Sequence, residues 1–466
     1  MDDSTIAAVA TPPGSGGISI IRVSGCEAIP IAAAVFKPSA AWADKLPLPD
    51  RFESHRLYHG YVVDPSCGRV IDEVLLSVMI GPRSYTREDV VEINAHGGHQ
   101  AARAILELIL RQGARLAEPG EFTRRAFLNG RIDLTQAEAV CDLIQARSQR
   151  SLEVAAVLLT GGLKLKIEKI QNVIKEIRVL IEAGIDFPEE AQETVDADAM
   201  SRRVSEEVIA PLQILIRNHI DGRTIREGLA VTIMGRPNVG KSSLMNRLLE
   251  RDRSIVTALP GTTRDVVQDS TFIDGLVFHL HDTAGLHQSP DPVERLGMAK
   301  TLQSAEEADL VLLVVEAHQP IDREDIRIFE MIGPKPCIIV MNKIDLRNAS
   351  GAGADLPAVM RAGRCLAVSA LTGDGIEVLR AELHRTALGG AGKIAGDLIP
   401  NLRQKELMER CIEAAAAAAQ DLARQAAPEL VAVNIALASD CLGEILGTHA
   451  KADILEGIFS RFCIGK

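Results

Sequence analysis

At 466 residues, with 47% hydrophobic and 24% charged side chains, the chain is globular and too long for one core, so two or three domains are expected. A net charge of −12 and an aromatic content of 3% exclude broad non-specific nucleic-acid binding and base-stacking platforms, so an RNA contact would need a local basic patch such as Arg124-Arg125. No apolar run is long enough to span a bilayer, Asp2 and Asp3 speak against a signal peptide, and eight scattered cysteines without a C-x-x-C pair read as reduced, cytoplasmic thiols.

The first region, 1–121, alternates short β-type runs with turns. The runs cover 17–23, 57–63, 72–79 and 90–94, punctuated by Pro12-Pro13-Gly14 and Gly97-Gly98. A helix over 100–112 carries Ile105, Leu108 and Ile109 on one face, and the region reads as an α+β domain. His96 and His99 flank the glycine pair, which marks a tight turn and not a metal site. From 122 to 227 the pattern is helical. Asp133 and Gln136 make a capping box, Gly161-Gly162 breaks the run that ends near 185, and a second helix covers 199–221. Helix returns in 389–466, over 406–426 and 430–446. The economical reading is one all-α domain interrupted by an inserted α/β domain, 228–388, built on a mostly parallel sheet.

The insert carries nucleotide chemistry. Gly-Arg-Pro-Asn-Val-Gly-Lys-Ser, 235–242, follows the apolar run 229–234 and opens a helix at Ser243. Glycines let backbone N–H groups close on phosphate oxygens, Lys241 supplies charge, and Ser242 a hydroxyl for Mg²⁺. Asp282-Thr283-Ala284-Gly285 closes a second strand, where the aspartate suits Mg²⁺ through water and Gly285 the γ-phosphate. Asn342-Lys343-Ile344-Asp345 closes a third. The Asp345 carboxylate matches the two N–H donors of guanine and not the edge of adenine, which selects GTP. Ser369-Ala370 after a fourth strand can meet the guanine oxygen. Together these motifs read as a P-loop GTPase.

The hydrolytic apparatus departs from the Ras pattern. Leu286 stands where a water-orienting glutamine would follow the Asp-x-x-Gly motif. Glu294 is the nearest downstream carboxylate; either it replaces the glutamine or it is a solvated helix-start acid. In Thr257-Ala258-Leu259-Pro260-Gly261-Thr262-Thr263, Thr263 is the natural Mg²⁺ hydroxyl. The preceding oxygens can cage a monovalent cation that stabilises transition-state charge, or form a plain switch loop. The candidate GTP-binding set is Asn238, Val239, Gly240, Lys241, Ser242, Ser243, Thr257 to Thr263, Asp282, Thr283, Ala284, Gly285, Asn342, Lys343, Ile344, Asp345, Ser369 and Ala370.

The insert's motifs resemble those of GTPases that include Era and Der. Beyond it, Ala10-Thr11-Pro12-Pro13-Gly14, Ala95-His96-Gly97-Gly98, Pro119-Gly120-Glu121-Phe122-Thr123, Arg125-Ala126-Phe127-Leu128-Asn129 and Phe462-Cys463-Ile464-Gly465-Lys466 are similar to the MnmE (TrmE) family of tRNA-modification GTPases, end to end.

That resemblance implies a homodimer whose N-terminal domain binds a tetrahydrofolate derivative, in its 5-formyl or 5,10-methylene form. It implies a heterotetramer-type complex with the flavoprotein MnmG (GidA). The pair would install a carboxymethylaminomethyl-type group on C5 of a tRNA wobble uridine, with K⁺-dependent GTP hydrolysis. By motif, the K⁺ ligands fall on Asn238, Thr257, Leu259 and Thr262, and the water-orienting acid on Glu294. Folate contacts fall on Arg22, Glu92, Arg131 and Lys466, with arginine at 131 where lysine is frequent; Arg22 and Glu92 also suit a cross-strand ion pair. Cys463 is either a small buried hydrophobe or a thiolate that assists carbon transfer. Two rivals remain: an Era- or Der-like ribosome-assembly or regulatory GTPase, and a folate-dependent aminomethyltransferase with an appended switch.

Overall fold

The computed structural model describes residues 4–12, 14–39, 52–146, 148–186, 196–249, 269–282, 308–346, 356–360, 363–387 and 398–466. The chain opens with β1 (Ile6–Val9), β2 (Ile18–Ser24), α1 (Ala28–Val35), β3 (Phe36–Pro38), β4 (Arg56–Val63), β5 (Val70–Met79), β6 (Val90–His96), α2 (His99–Arg111) and β7 (Arg115–Leu116). These strands form one sheet in the order β3-β4-β5-β6-β2-β1-β7. Every pair is antiparallel except β1 with β7. Side chains alternate across a strand, so Ile21, Val23, Leu76, Val78, Val91 and Ile93 turn to one face and bury there with Ile105, Leu108 and Ile109 of α2. The three α2 residues are the ones its sequence period singles out.

Next come α3 (Glu121–Leu128), α4 (Leu134–Gln145), α5 (Gln149–Leu159), α6 (Gly162–Asp186) and α7 (Ala197–Arg203), which continues through a π turn (Val204–Ile209) into α8 (Ala210–Glu227). The capping box at α4 is present: the Asp133 amide donates to Gln136 Oε1 at 3.1 Å, and the Gln136 amide donates to Asp133 Oδ1 at 3.2 Å. A break between α4 and α5 was not foreseen. Ser148 and Ser151 make it, each hydroxyl accepting from the other's backbone amide.

The inserted segment contains β8 (Leu229–Met234), α9 (Lys241–Leu249), β9 (Asp269–Ile273), β10 (Leu276–Asp282), β11 (Leu310–Glu316), α10 (Arg323–Ile332), β12 (Cys337–Asn342), β13 (Arg364–Ala367) and α11 (Ile376–Ala387). Its sheet runs β13-β12-β11-β8-β10-β9. All pairs are parallel except β9 with β10. The chain ends in α12 (Leu402–Ala423), α13 (Pro428–Leu446) and α14 (Ala452–Phe459).

Two compact units result. One gathers Met1–Ile144, Leu158–Leu212 and Glu406–Lys466; the other gathers Gln145–Val157 and Gln213–Lys405. In the first, α6 buries Leu163, Ile167, Ile170, Ile174, Ile177 and Ile181. α13 buries Val431, Ile435, Ala438, Leu442 and Ile445. Both series step by four and three, which keeps a seam facing its partner along the length of each helix, and the two helices pack together. In the second unit, the chain enters and leaves at neighbouring points. Asn218 Nδ2 donates to the Leu398 carbonyl at 3.2 Å, and His219 Nδ1 to that of Pro400 at 2.7 Å. Adjacent ends are what an insertion requires. No helix among the described residues is long and apolar enough to cross a membrane.

Candidate functional site

In the second unit, β8 lies between β10 and β11, and the loops after β8, β11, β12 and β13 leave from the same edge of the parallel sheet. Ligands of open α/β sheets bind outside such carboxyl ends. The loop after β8 needs its glycines. Gly240 has φ 95°, and a Cβ there would collide with the Asn342 amide nitrogen. Asn238 also takes a left-handed conformation, φ 66°, which asparagine tolerates better than most residues. Lys241 is buried and curls back over the loop, its Nζ donating to the Gly235 and Arg236 carbonyls at 2.8 Å each.

The residues expected to select guanine converge on this loop. Asn342 Nδ2 donates to the Val239 carbonyl at 2.9 Å, and its Oδ1 accepts from the Ala370 amide at 3.0 Å. One side chain thus staples the phosphate loop to the Ser369 loop. Lys343 Nζ donates to the Asn238 carbonyl at 2.7 Å and pairs with Glu316. Ser369 Oγ donates to Asp345 Oδ1 at 2.5 Å. Oδ2 of Asp345, an exposed residue, makes no hydrogen bond among the described residues, which leaves an acceptor for a ligand. Sequence reading missed Arg236 and Glu316. Arg236 ties the loop to the start of α10, with Nε to Asp325 Oδ1 at 2.9 Å and Nη1 to Asp322 Oδ2 at 3.1 Å.

Val239, Ser242, Ser243 and Ile344 lie on these same elements, and Asp282 ends β10 beside Ile233. Thr257, Ala258, Leu259, Pro260, Gly261, Thr262, Thr263, Thr283, Ala284, Gly285, Leu286 and Glu294 lie outside the described residues.

The first unit assembles a second site from distant segments. Arg22 on β2 and Glu92 on β6 stand opposite one another, and Arg22 Nε donates to Glu92 Oε1 at 2.8 Å. The ion pair anticipated from the strands is real, yet the guanidinium does more. It lies 5.5 Å from the Tyr85 ring centroid and 5.6 Å from that of Phe122, and Nη1 donates to the Gly465 carbonyl at 3.3 Å. Arg131 sits over the same Tyr85 ring at 4.7 Å. Tyr85 is held by a 3.0 Å hydrogen bond with Thr123. The C-terminal tail is wedged in place: Gly465 has φ 94° and a Cβ would strike the Val9 carbonyl, while the Phe122 amide donates to the Lys466 carbonyl at 3.2 Å.

Beside Tyr85 and Arg131 opens a hollow of about 540 Å³, also lined by His55, Arg83, Ser84 and Arg87. Tyr85, Phe122 and Thr123 escaped sequence reading as site residues because nothing local connects them to Arg22.

Cys463 is exposed, so the small buried hydrophobe reading fails, and its carbonyl accepts from Gly120. Burial pushes the Cys141 and Cys337 thiols up to about 11 and Cys411 up to about 12, which makes them poor nucleophiles. The suggested basic patch at Arg124-Arg125 does not hold. Arg125 is buried and spent on Glu88, Glu121 and the Ser4 carbonyl. His96 pairs with Asp72 at 2.7 Å, a hydrogen bond that raises its pKa, and no group of three or more potential metal ligands occurs among the described residues.

Comparison with known proteins agrees with both halves. Residues 5–131 match the family described as GTP-binding protein TrmE N-terminus, and residues 134–463 match the MnmE helical domain. The tRNA modification GTPase MnmE of Moorella thermoacetica is 47% identical over 100% of both chains. That of Syntrophobacter fumaroxidans is 43% identical over 99% of this chain and 98% of its own, and that of Geobacter sulfurreducens 43% over 100% and 99%. By these matches over its whole length, the chain belongs to the MnmE family of tRNA modification GTPases.

Proposed function

We propose that this protein hydrolyses GTP to drive modification of a tRNA wobble uridine, with a tetrahydrofolate derivative bound in the first unit and the flavoprotein MnmG as partner. The observation that carries the reading is the pairing, in one chain, of a guanine-selecting frame with a site that suits folate. Folate offers donor-rich ring nitrogens at one end and carboxylates at the other. Glu92 supplies an acceptor for the ring, while Arg22, Arg131 and Lys466 supply cations.

The phosphate loop fits GTP and Mg²⁺. Lys241 is spent on loop carbonyls and would turn to the terminal phosphates, and Ser242 opens α9 where a hydroxyl suits Mg²⁺. Asp345 would hold the guanine N–H donors while Ser369 fixes its carboxylate. Asn238 would join Thr257, Leu259 and Thr262 around K⁺, and Thr263 would join Ser242 at Mg²⁺. Glu294 orients water in this scheme, and Cys463, exposed at the tail, is the candidate nucleophile for carbon transfer. The protein would act as a homodimer in the cytoplasm, a compartment that eight cysteines outside any disulfide suit.

Mass spectrometry of total tRNA from a strain lacking this chain tests the reading. Loss of a wobble-uridine modification supports it, and an unchanged tRNA profile with a ribosome-assembly defect turns it toward the Era-like alternative. Replacing K⁺ by Na⁺ at constant ionic strength should lower GTP turnover by roughly 10²–10³, the usual cost of a lost transition-state charge contact. Equal turnover in both ions refutes the cation's role.

A further inference from the structure

The hollow beside Tyr85 is more cationic than the proposed folate contacts require. Arg83, Arg87, Arg131 and His55 line it, and no acidic residue does. None of the three arginines has a carboxylate partner among the described residues, in a chain whose net charge is −12. Exposed arginines elsewhere differ: Arg103 pairs with Glu107 and Arg178 with Glu182, while Arg69, Arg124 and Arg217 have no carboxylate partner among the described residues, so what sets Arg83, Arg87 and Arg131 apart is that they converge. Here they are left facing one open space of about 540 Å³.

Two of these side chains are oriented and not merely exposed. Arg131 is stacked on Tyr85, and Arg87 is pinned by Nη1 donating to the Asn129 carbonyl at 2.9 Å. Arg87 also holds φ 62°, a left-handed conformation that costs a non-glycine residue free energy. Each guanidinium keeps N–H donors unused by these contacts, in the fork that matches a carboxylate.

The hollow and the Arg22–Glu92 pair share a neighbour in Tyr85, whose ring centroid lies 4.7 Å from the Arg131 guanidinium and 5.5 Å from that of Arg22. A folate with its ring on Glu92 would therefore point its glutamate toward Arg131, and Arg83 and Arg87 lie beyond. We infer that this hollow seats an oligo-γ-glutamyl tail, so that the protein prefers polyglutamylated over monoglutamyl folates. Each γ-linked residue adds one α-carboxylate, and successive carboxylates find successive arginines. The inference rests on the folate reading of the first unit.

Calorimetry on the full chain tests it, with 5-formyl-tetrahydrofolate carrying one or four glutamates as probes. The wild type should bind the tetraglutamate about tenfold more tightly, as expected for two partly solvated arginine–carboxylate pairs, and the gain should shrink with added salt. Arg83→Gln with Arg87→Gln should erase the gain while leaving monoglutamate affinity within about twofold, because neither side chain touches the ring end. Arg103→Gln, away from the hollow, should leave the gain intact. Equal affinity of wild type for both probes overturns the tail site alone, as does a gain that survives the double substitution. Failure of the wild type to bind either probe overturns the folate reading and the tail site with it.

Discussion

The nucleotide pocket and the candidate site of the first unit are built in opposite ways. The first hangs on strand ends of one parallel sheet, and each contributing motif is a run of a few residues. The second draws Arg22 from β2, Glu92 from β6, Tyr85 and Arg87 from the loop between β5 and β6, Arg131 from the turn before α4 and Gly465 from the tail. A contiguous motif carries its geometry with it, because loop backbone and helix start bind the ligand. A dispersed site exists only once the tertiary fold is complete. Disturbing the fold of the first unit should therefore cost its ligand everything, whereas the pocket should answer mainly to its own side chains.

The sharpest test of local dependence is Asp345→Asn. It replaces two charge-assisted acceptors by a group that presents a donor to guanine. Each such hydrogen bond is worth roughly 1.5–3 kcal/mol, so GTP affinity should fall by about 10²–10⁴. Xanthine nucleotide, with the complementary edge, should recover it. Folate affinity measured on the same variant should not move. A variant that still prefers GTP would remove Asp345 from the guanine site.

Ile174→Ala probes global dependence. Ile174 is 1% exposed in the α6–α13 seam, and such truncations cost about 2–5 kcal/mol. The urea midpoint of the first unit should drop while GTP-protected unfolding of the second unit stays put. Midpoints that fall together would mean the two units unfold as one.

Arg22→Lys is a finer cut. Lysine preserves charge but loses the fork that serves Glu92, the Gly465 carbonyl and two aromatic rings at once. Folate affinity should fall about 10- to 100-fold, for one or two charge-assisted hydrogen bonds lost, with GTP turnover unaffected. Unchanged folate affinity would reduce Arg22–Glu92 to a structural ion pair.

The same contrast governs what the sequence discloses. The strand runs, the α2 face and the α4 capping box were legible because period and caps are local signals. β1 is only four residues, two of them alanine, and gave too little pattern to be seen. The π turn at Val204–Ile209 left no trace in the period. Ser148 and Ser151 did leave one, a serine pair at cap spacing, and reading it would have separated α4 from α5. In the nucleotide pocket the motifs at 235–242, 342–345 and 369–370 were readable and converge in the structure, while Thr257 to Thr263 and Thr283 to Gly285 lie outside the described residues. In the first unit Arg22, Glu92 and Arg131 came only from a family resemblance, and Tyr85, which holds two of them, came from neither.

The smallest effect is expected from Glu121, at the base of the dispersed site. Burial pushes its carboxyl up, but hydrogen bonds from Arg115, the Glu118 amide and Arg125 outweigh that and hold its pKa below the ordinary 4.5. A folded-state pKa below the unfolded one means that the folded state binds the proton more weakly. The stabilisation is thus fully present above pH 4.5 and is lost as pH falls through the depressed folded value. Glu121→Gln removes the charge and leaves Arg115 and Arg125 without it. The wild type should exceed the variant in urea midpoint for the first unit at neutral pH, and the gap should close below pH 4.5. Because Arg125 also reaches Glu88 and Ser4, part of the network survives and the gap stays modest. A gap that is constant across the acid range would show that packing of the side chain, and not its charge, is what the substitution removes. In that case the acid sensitivity of the first unit would have to come from another carboxylate in the network, with Glu88 the next to replace.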